Sequence, residues 1–289
     1  MTDLGSLAVE AGPKAALYGA LLLAIGASAT RWLLLPRLAA EWSPAWVGEV
    51  EASLARLSRV SASFLLASLA LRAWLHTVAV FGWRDSLAWD QIAVIILESR
   101  WGAGWRVQVA ATICLLAATF IIRVHRSAGW VLTTACVLAC ALSIPLLGHA
   151  EGQPLRVALH AAHIVGAGMW LGTLACVLLV RGVPIRALKH FAPIALAGAS
   201  MAVAAGAIAA VQYVGSLGNL WETAYGRALV VKLTIFAAVL CCGYLNWRRW
   251  SASSLETGAE RPVRLPILEV LLAAAIVLVT SVLTELAHP

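Results

Sequence analysis

Long apolar runs separated by short polar segments fill the whole chain of 289 residues. Eight runs are near twenty residues or longer, at about 14–36, 58–81, 105–123, 129–148, 156–180, 190–214, 226–247 and 265–287. A helix rises about 1.5 Å per residue, so most of them are long enough to cross roughly 30 Å of hydrocarbon. The runs are continuously apolar and do not alternate every second residue, which favours helices over a β-barrel.

This pattern predicts an all-α polytopic membrane protein, a bundle of about eight transmembrane helices forming a single integral membrane domain over residues 1–289. Composition agrees, because 62% of residues are hydrophobic and 12% are charged, against about 45–50% and about 25% in soluble domains. The net charge of +7 would suggest nucleic acid as a partner of a soluble protein. In a membrane protein it reports topology, so the predicted partner is the lipid bilayer and no nucleic acid is expected.

The basic residues predict how the helices are oriented. Thirteen of the 21 lysines and arginines fall in one set of loops and helix ends, and eight fall on the other side. By the positive-inside rule the richer side is cytoplasmic, which places both termini in the periplasm. The N-terminal "MTDLGSLAVEAGPK" lacks a basic region, so the first run is expected to be a retained helix and not a cleaved signal. The tryptophan-rich outer loop 82–104 is expected to carry a short interfacial helix.

The seven histidines separate by side under this topology. His125 and His190 lie among basic residues at cytoplasmic ends and are interpreted as interface residues. The other five are predicted near the outer face: His76, His149, His160, His163 and His288. His160 and His163 are spaced i, i+3, so they project from one helical face. Imidazole binds copper and other late first-row metals well, so this cluster is a candidate metal site if the helices converge.

Three charged residues, Arg72, Lys232 and Glu269, fall within predicted helices. A charge at the bilayer centre costs roughly 2.5–3.5 kcal/mol on insertion scales. Such residues therefore either line a translocation path or are accommodated as buried ion pairs and by side chains that reach the interface.

Three further side chains are candidate accessory ligands. Glu285 stands one turn before His288 and would add a carboxylate to the outer site. Met169 and Met201 are candidate thioether ligands for Cu(I), or simple core residues.

Several short motifs in the second half of the chain resemble one known family. They are "GHA" at 148–150, "LHAAHIVGAGMWLG" at 159–172, "TAYGRALVVK" at 223–232, "NWR" at 246–248, and Glu269 in the last helix. In order and spacing they resemble the copper resistance D family of bacterial inner-membrane proteins (CopD, PcoD and relatives). The resemblance is strongest over roughly residues 145–289.

The resemblance implies copper handling at the bacterial inner membrane, by a multi-pass protein that works alongside a small periplasmic copper-binding (CopC-like) protein. Within the matched motifs, His149, His160 and His163 become the copper-site candidates, for Cu(I) or Cu(II). The remaining motif residues are assigned a structural or gating role: Trp170, Gly172, Tyr225, Gly226 and Arg227. His76 and His288 lie outside these motifs and join the candidate site through the predicted topology alone.

The leading hypothesis is a copper-binding transporter of the inner membrane, with import favoured over export and no enzymatic activity. No ATP-binding loop of the Gly-x-x-x-x-Gly-Lys-Ser/Thr type occurs in the sequence, which disfavours ATP-driven pumping by this chain alone. One alternative is a b-type haem membrane oxidoreductase, whose axial histidines would clamp a haem within the bundle. The candidate histidines gather on one side of the membrane, which argues against the haem alternative. Another alternative is a component that hands copper to, or scaffolds, another protein without transporting it.

Overall fold

The computed structural model describes residues 4–39, 42–147, 153–181, 183, 187–251 and 264–286, and within them the chain forms helices and no strands. The α-helices are α1 (Leu4–Ala29), α2 (Leu35–Ala39), α3 (Pro44–Phe81), α4 (Trp89–Ala93), α5 (Arg100–Ile121), α6 (Arg126–Ser143), α7 (Pro154–Ala167), α8 (Thr173–Leu179), α9 (Leu188–Val214), α10 (Asn219–Glu222), α11 (Ala224–Ser251) and α12 (Arg264–Leu283). Single π-helical turns cover Thr30–Leu34, Val94–Glu98 and Gly168–Gly172, and a 3₁₀ turn covers Ile144–Leu147.

Eight helices in the described residues are long and apolar enough to cross a membrane. Two of them are continuous through a π turn, namely α1 with α2 and α7 with α8, and the others are α3, α5, α6, α9, α11 and α12. The predicted all-α architecture of about eight transmembrane helices is therefore confirmed. The placement of both termini in the periplasm stays a prediction.

The second span begins earlier than predicted. Helix α3 starts at Pro44 and not near residue 58, because Ser43 accepts a hydrogen bond from the Trp46 N–H at 3.3 Å and Pro44 occupies the first turn. Its 38 residues extend about 57 Å, which exceeds the hydrocarbon thickness. The apolar run marked only the part of α3 that suits lipid. The polar N-terminal part continues the helix beyond it.

The loop between the second and third spans contains the expected short helical segment. Helix α4 and the π turn Val94–Glu98 form it, and the Ser99 hydroxyl then accepts a hydrogen bond from the Gly102 N–H at 2.8 Å where α5 begins.

Helix α1 lies at the centre of the bundle. It packs against α3, α6 and α12 and against the π turn Gly168–Gly172. Its closest approach joins Gly26 to Gly172, where a Cβ on either glycine would collide with backbone atoms of the facing helix. Small residues at such crossings bring membrane helices into close van der Waals contact. The "WLG" glycine of the sequence motif is thus where α1 meets the fifth span.

Helices α7 and α9 form a second close crossing. A Cβ on Gly166 would lie 2.6 Å from the carbonyl oxygen of Gly198 and 2.7 Å from the backbone nitrogen of Ala202. Gly198, Ala202 and Gly206 recur every four residues on α9, so they form one smooth helix face. The small-residue stretch 196–211 therefore serves helix packing, and it determines what surrounds His163.

Candidate metal site

His160 and His163 lie on α7, and each ring is oriented by a backbone carbonyl. His160 Nδ1 is 3.0 Å from the carbonyl oxygen of Arg156, and His163 Nδ1 is 2.7 Å from that of Ala202 across the helix crossing. A carbonyl oxygen can only accept, so in both rings Nδ1 carries the hydrogen and donates it. In a neutral imidazole this leaves the Nε2 lone pair free to bind a metal.

Aromatic and small residues shape the surroundings of the two rings. A Cβ on Gly206 would lie 2.9 Å from His163 Nδ1, so a glycine at this position is needed for the ring to fit. The His160 ring meets Tyr213 edge to face, with centroids 5.7 Å apart. The Arg156 guanidinium carbon lies 5.3 Å from the centroid of the same Tyr213 ring. The pair is therefore held by α7 and α9 together.

Lys232 of α11 adds a positive charge near the histidine pair. It is half-buried and interacts electrostatically with both imidazoles. A positive charge here repels a metal cation, so metal binding at the pair requires either further electron-rich ligands or a neutral amine. The sequence placed Lys232 inside a helix, but did not predict that it lies near the histidines.

Of the other three predicted histidines, the structure describes His76. His76 lies on α3, where its ring stacks on Trp101 with centroids 4.4 Å apart and planes at 12°. Its electrostatic partners are Arg72 and Glu285, and not the α7 pair. His149 and His288 lie outside the described residues. Among the described residues, no group of three His, Cys, Asp or Glu side chains is placed to hold a metal ion.

Glu285 belongs to a charged cluster at the end of α12. Its carboxylate forms an ion pair with Lys14 of α1, and Lys14 also donates to the Thr284 hydroxyl at 3.5 Å. Glu10 and Arg72 interact electrostatically with Glu285 from α1 and α3. Arg72 therefore interacts electrostatically with the carboxylates of Glu10 and Glu285, and its role in an ion pair or a translocation path stays a prediction.

The two candidate methionines occupy different environments. Met169 packs against the apolar core around α1, and Met201 is half-buried on α9.

A second polar site is buried between the fifth, seventh and eighth spans. Glu269 of α12 is 2% exposed, and its carboxyl oxygens accept hydrogen bonds from Trp170 Nε1 at 3.1 Å and from Asn246 Nδ2 at 2.8 Å. Gly243 leaves room for the carboxyl group, since a Cβ there would lie 3.3 Å from its Oε1. Within the described part of the chain Glu269 has no ion-pair partner, and it does not reach the surface. Whether Glu269 is ionised or protonated, the hydrogen-bond donors that compensate its burial are therefore neutral groups.

The "TAYGR" motif builds the start of α11. The Thr223 hydroxyl accepts a hydrogen bond from the Gly226 N–H at 2.9 Å, which is N-cap geometry. A Cβ on Gly226 would collide with the Asn219 carbonyl oxygen of α10, so glycine permits that close contact. Tyr225 is buried in an apolar cluster, and Arg227 donates to the Trp221 carbonyl oxygen at 3.3 Å. These contacts are structural ones.

Sequence reasoning missed one buried ionic group. Glu51 of α3 is 3% exposed and pairs with both Arg31 and Arg126. The predicted second span begins near residue 58, so a glutamate at position 51 gives no signal of burial. The helical spacing of residues 44–57 was the feature that could have revealed it.

The chain is similar to a known protein family and to a copper transport protein. Residues 185–283 match the family model described as copper resistance protein D. Copper transport protein CutJ of Bacillus subtilis (strain 168) is 25% identical to the chain over 225 residues, which are 72% of the chain and 41% of that relative. The chain thus spans about two fifths of the length of this curated relative. No solved structure matches it. These matches confirm the predicted resemblance to the copper resistance protein D family.

Proposed function

We propose that this protein binds copper and carries it across a bacterial inner membrane, with import favoured over export. The family match and the similarity to a copper transport protein support a copper-related role. The eight spans supply the membrane-embedded body that a carrier requires. Copper is the cargo in this proposal, as Cu(I) or Cu(II), and the chain performs no covalent chemistry on it.

The observation that carries the proposal is the orientation of the histidine pair. Both Nδ1–H groups of His160 and His163 donate to backbone carbonyl oxygens, which leaves both Nε2 atoms available as ligands. Metal-binding histidines are commonly fixed in this way by a second hydrogen bond. We propose His149 as the third ligand, which would also offset the repulsion from Lys232. We further propose that His76, His288 and Glu285 receive copper at the same predicted face.

Trp170 and Glu269 supply the next polar position along the proposed path. Trp170 follows His163 by seven residues on the same span, about 10 Å along a helix axis. Glu269 is a buried carboxyl group with neutral partners, which suits transient contact with a passing cation. The path then runs from the histidine pair toward the end of the bundle where α12 begins.

The direction and the partner rest on the predicted topology. If the histidine-bearing ends face the periplasm, copper enters from there, and a small CopC-like periplasmic protein is the proposed donor. The side with the greater share of arginine and lysine is the predicted cytoplasmic side.

Copper uptake by the purified chain in proteoliposomes tests the proposal. The wild-type chain should accumulate copper, and the His160→Ala/His163→Ala variant should lose most of the uptake. His125→Ala is the matched control, because His125 is exposed and its side chain makes no capping hydrogen bond. Bound copper without any accumulation would reject transport in favour of a handoff role. A Soret band with sharp reduced α-bands would reject it in favour of haem chemistry.

A further inference from the structure

An arginine-rich cavity of about 650 Å³ lies at the end of the bundle where α3 begins. The first part of α3 forms one wall, and the corner between α5 and α6 forms the other. Its charged lining residues are Glu49, Glu51, Arg56, Arg59, Arg123, Arg126 and Arg181. Five arginines against two carboxylates leave a net positive charge of three. This cavity has no part in the proposed copper path.

The carboxylates do not neutralise this cavity. Glu51 is already shared between Arg31 and Arg126, and Glu49 is exposed. Arg59 donates from Nη2 to the Thr119 carbonyl oxygen at 3.2 Å, while its buried Nε has no hydrogen-bond partner among the described residues. A buried guanidinium donor without an acceptor is costly, and an anion in the cavity would supply that acceptor.

The neighbouring surface indicates the source of the anion. Phe120 lies under two guanidinium groups, with its ring centroid 4.5 Å from the Arg59 guanidinium carbon and 5.7 Å from that of Arg123. The side of α3 that leads away from the cavity exposes Val60 and Phe64, which are 51% and 59% accessible. An acyl chain lying along these residues would place its headgroup phosphate among the arginines.

We propose that this cavity binds the phosphate group of an anionic phospholipid. Guanidinium groups bind phosphate oxygens in bidentate fashion, and basic pockets between membrane helices bind acidic lipid headgroups. The cavity is larger than a phosphate ion and accommodates the glycerol of a headgroup as well. The inference goes beyond copper handling, because it would hold for this chain whether or not it transports a metal.

Lipid binding to the full chain, delipidated in detergent, tests the assignment by native mass spectrometry. The protein is titrated separately with phosphatidylglycerol, with phosphatidylcholine and with inorganic phosphate. The test variant is Arg123→Gln/Arg181→Gln, whose two side chains are both exposed. The control is Arg84→Gln/Arg227→Gln, which removes the same charge from exposed positions outside the cavity.

Phosphatidylglycerol should bind more tightly than phosphatidylcholine. At about 1 kcal/mol for each basic residue, the test variant should weaken that binding by roughly 25-fold, and the control should leave it unchanged. Equal binding of both lipids, or equal losses in both variants, would overturn the proposal. Tight binding of inorganic phosphate that the test variant abolishes, without any preference among lipids, would reject the lipid and assign the cavity to a soluble phosphate compound. Arg59→Gln removes one charge from the same cavity and should weaken phosphatidylglycerol binding about fivefold, which guards against a role of the exposed pair in folding.

Discussion

Replacing Trp170 with phenylalanine removes the indole N–H that donates to Glu269 and keeps an aromatic ring in the core. Trp170 is 4% exposed, and its ring meets Phe236 edge to face at 6.1 Å. Trp170→Phe therefore changes two things, the packing volume and one hydrogen bond. The same replacement at Trp130 serves as the control, because it changes the packing volume without removing a hydrogen bond in the described part of the chain. Trp130 is fully buried, and its Nε1 has no hydrogen-bond partner within the described residues.

The difference between the two variants estimates the hydrogen bond. Hydrogen bonds between helices within membranes average about 0.6 kcal/mol, and those to charged groups contribute about 1.5–3 kcal/mol. We therefore expect Trp170→Phe to lower the free energy of unfolding by about 0.6–3 kcal/mol more than Trp130→Phe does. A value near the upper end would indicate that Glu269 is ionised. A value near the lower end would indicate a protonated carboxyl group.

Reversible unfolding in mixed micelles of a mild detergent and dodecyl sulfate gives both free energies. In a Glu269→Leu background the acceptor is gone, so Trp170→Phe and Trp130→Phe should then cost about the same. Equal costs in the wild-type background would contradict a stabilising hydrogen bond, because the Trp170 indole would then contribute packing alone. An excess cost that persists in the Glu269→Leu background would refute the pairing with Glu269.

Two further substitutions test the packing around the site and the buried ion pairs. Gly206→Ala should weaken copper binding roughly tenfold, because its Cβ would lie 2.9 Å from His163 Nδ1. Gly19→Ala, with nothing within 4 Å of its Cβ, should leave isothermal titration of copper unchanged. Glu51→Ala should cost about 3 kcal/mol of unfolding free energy, since two arginines lose their buried counter-ion. The exposed Glu49→Ala should change it by less than about 0.5 kcal/mol, and equal losses would argue against the ion pairs.

The number of spans was predictable because the bilayer requires long apolar helices, and each of the eight carries that signal in its own residues. The extension of α3 beyond the lipid was not predictable from the apolar runs. The stretch 44–57 is polar on one side, so apolar run length gives no information on it. The i, i+3 spacing of His160 and His163 likewise followed from one helix alone.

Contacts between spans were out of reach of single-helix reasoning. Trp170 and Glu269 were both singled out from the sequence, yet they are 99 residues apart, and nothing in either helix specifies the other. Their meeting depends on how the spans pack around α1. The position of Lys232 near the histidines likewise depends on how the spans pack together. Predicted sidedness groups His76 with the α7 pair. In the structure α3 packs beside α1 and α5, and the His76 ring stacks on Trp101 of α5.

The copper content of the purified chain shows whether His149, His160 and His163 bind copper. Metal analysis after copper loading and desalting compares the wild-type chain with the triple variant His149→Ala/His160→Ala/His163→Ala. We predict that the wild-type chain retains copper and that the triple variant retains none. His125→Ala should retain copper as the wild type does. Full copper occupancy in the triple variant would contradict the proposed histidine site.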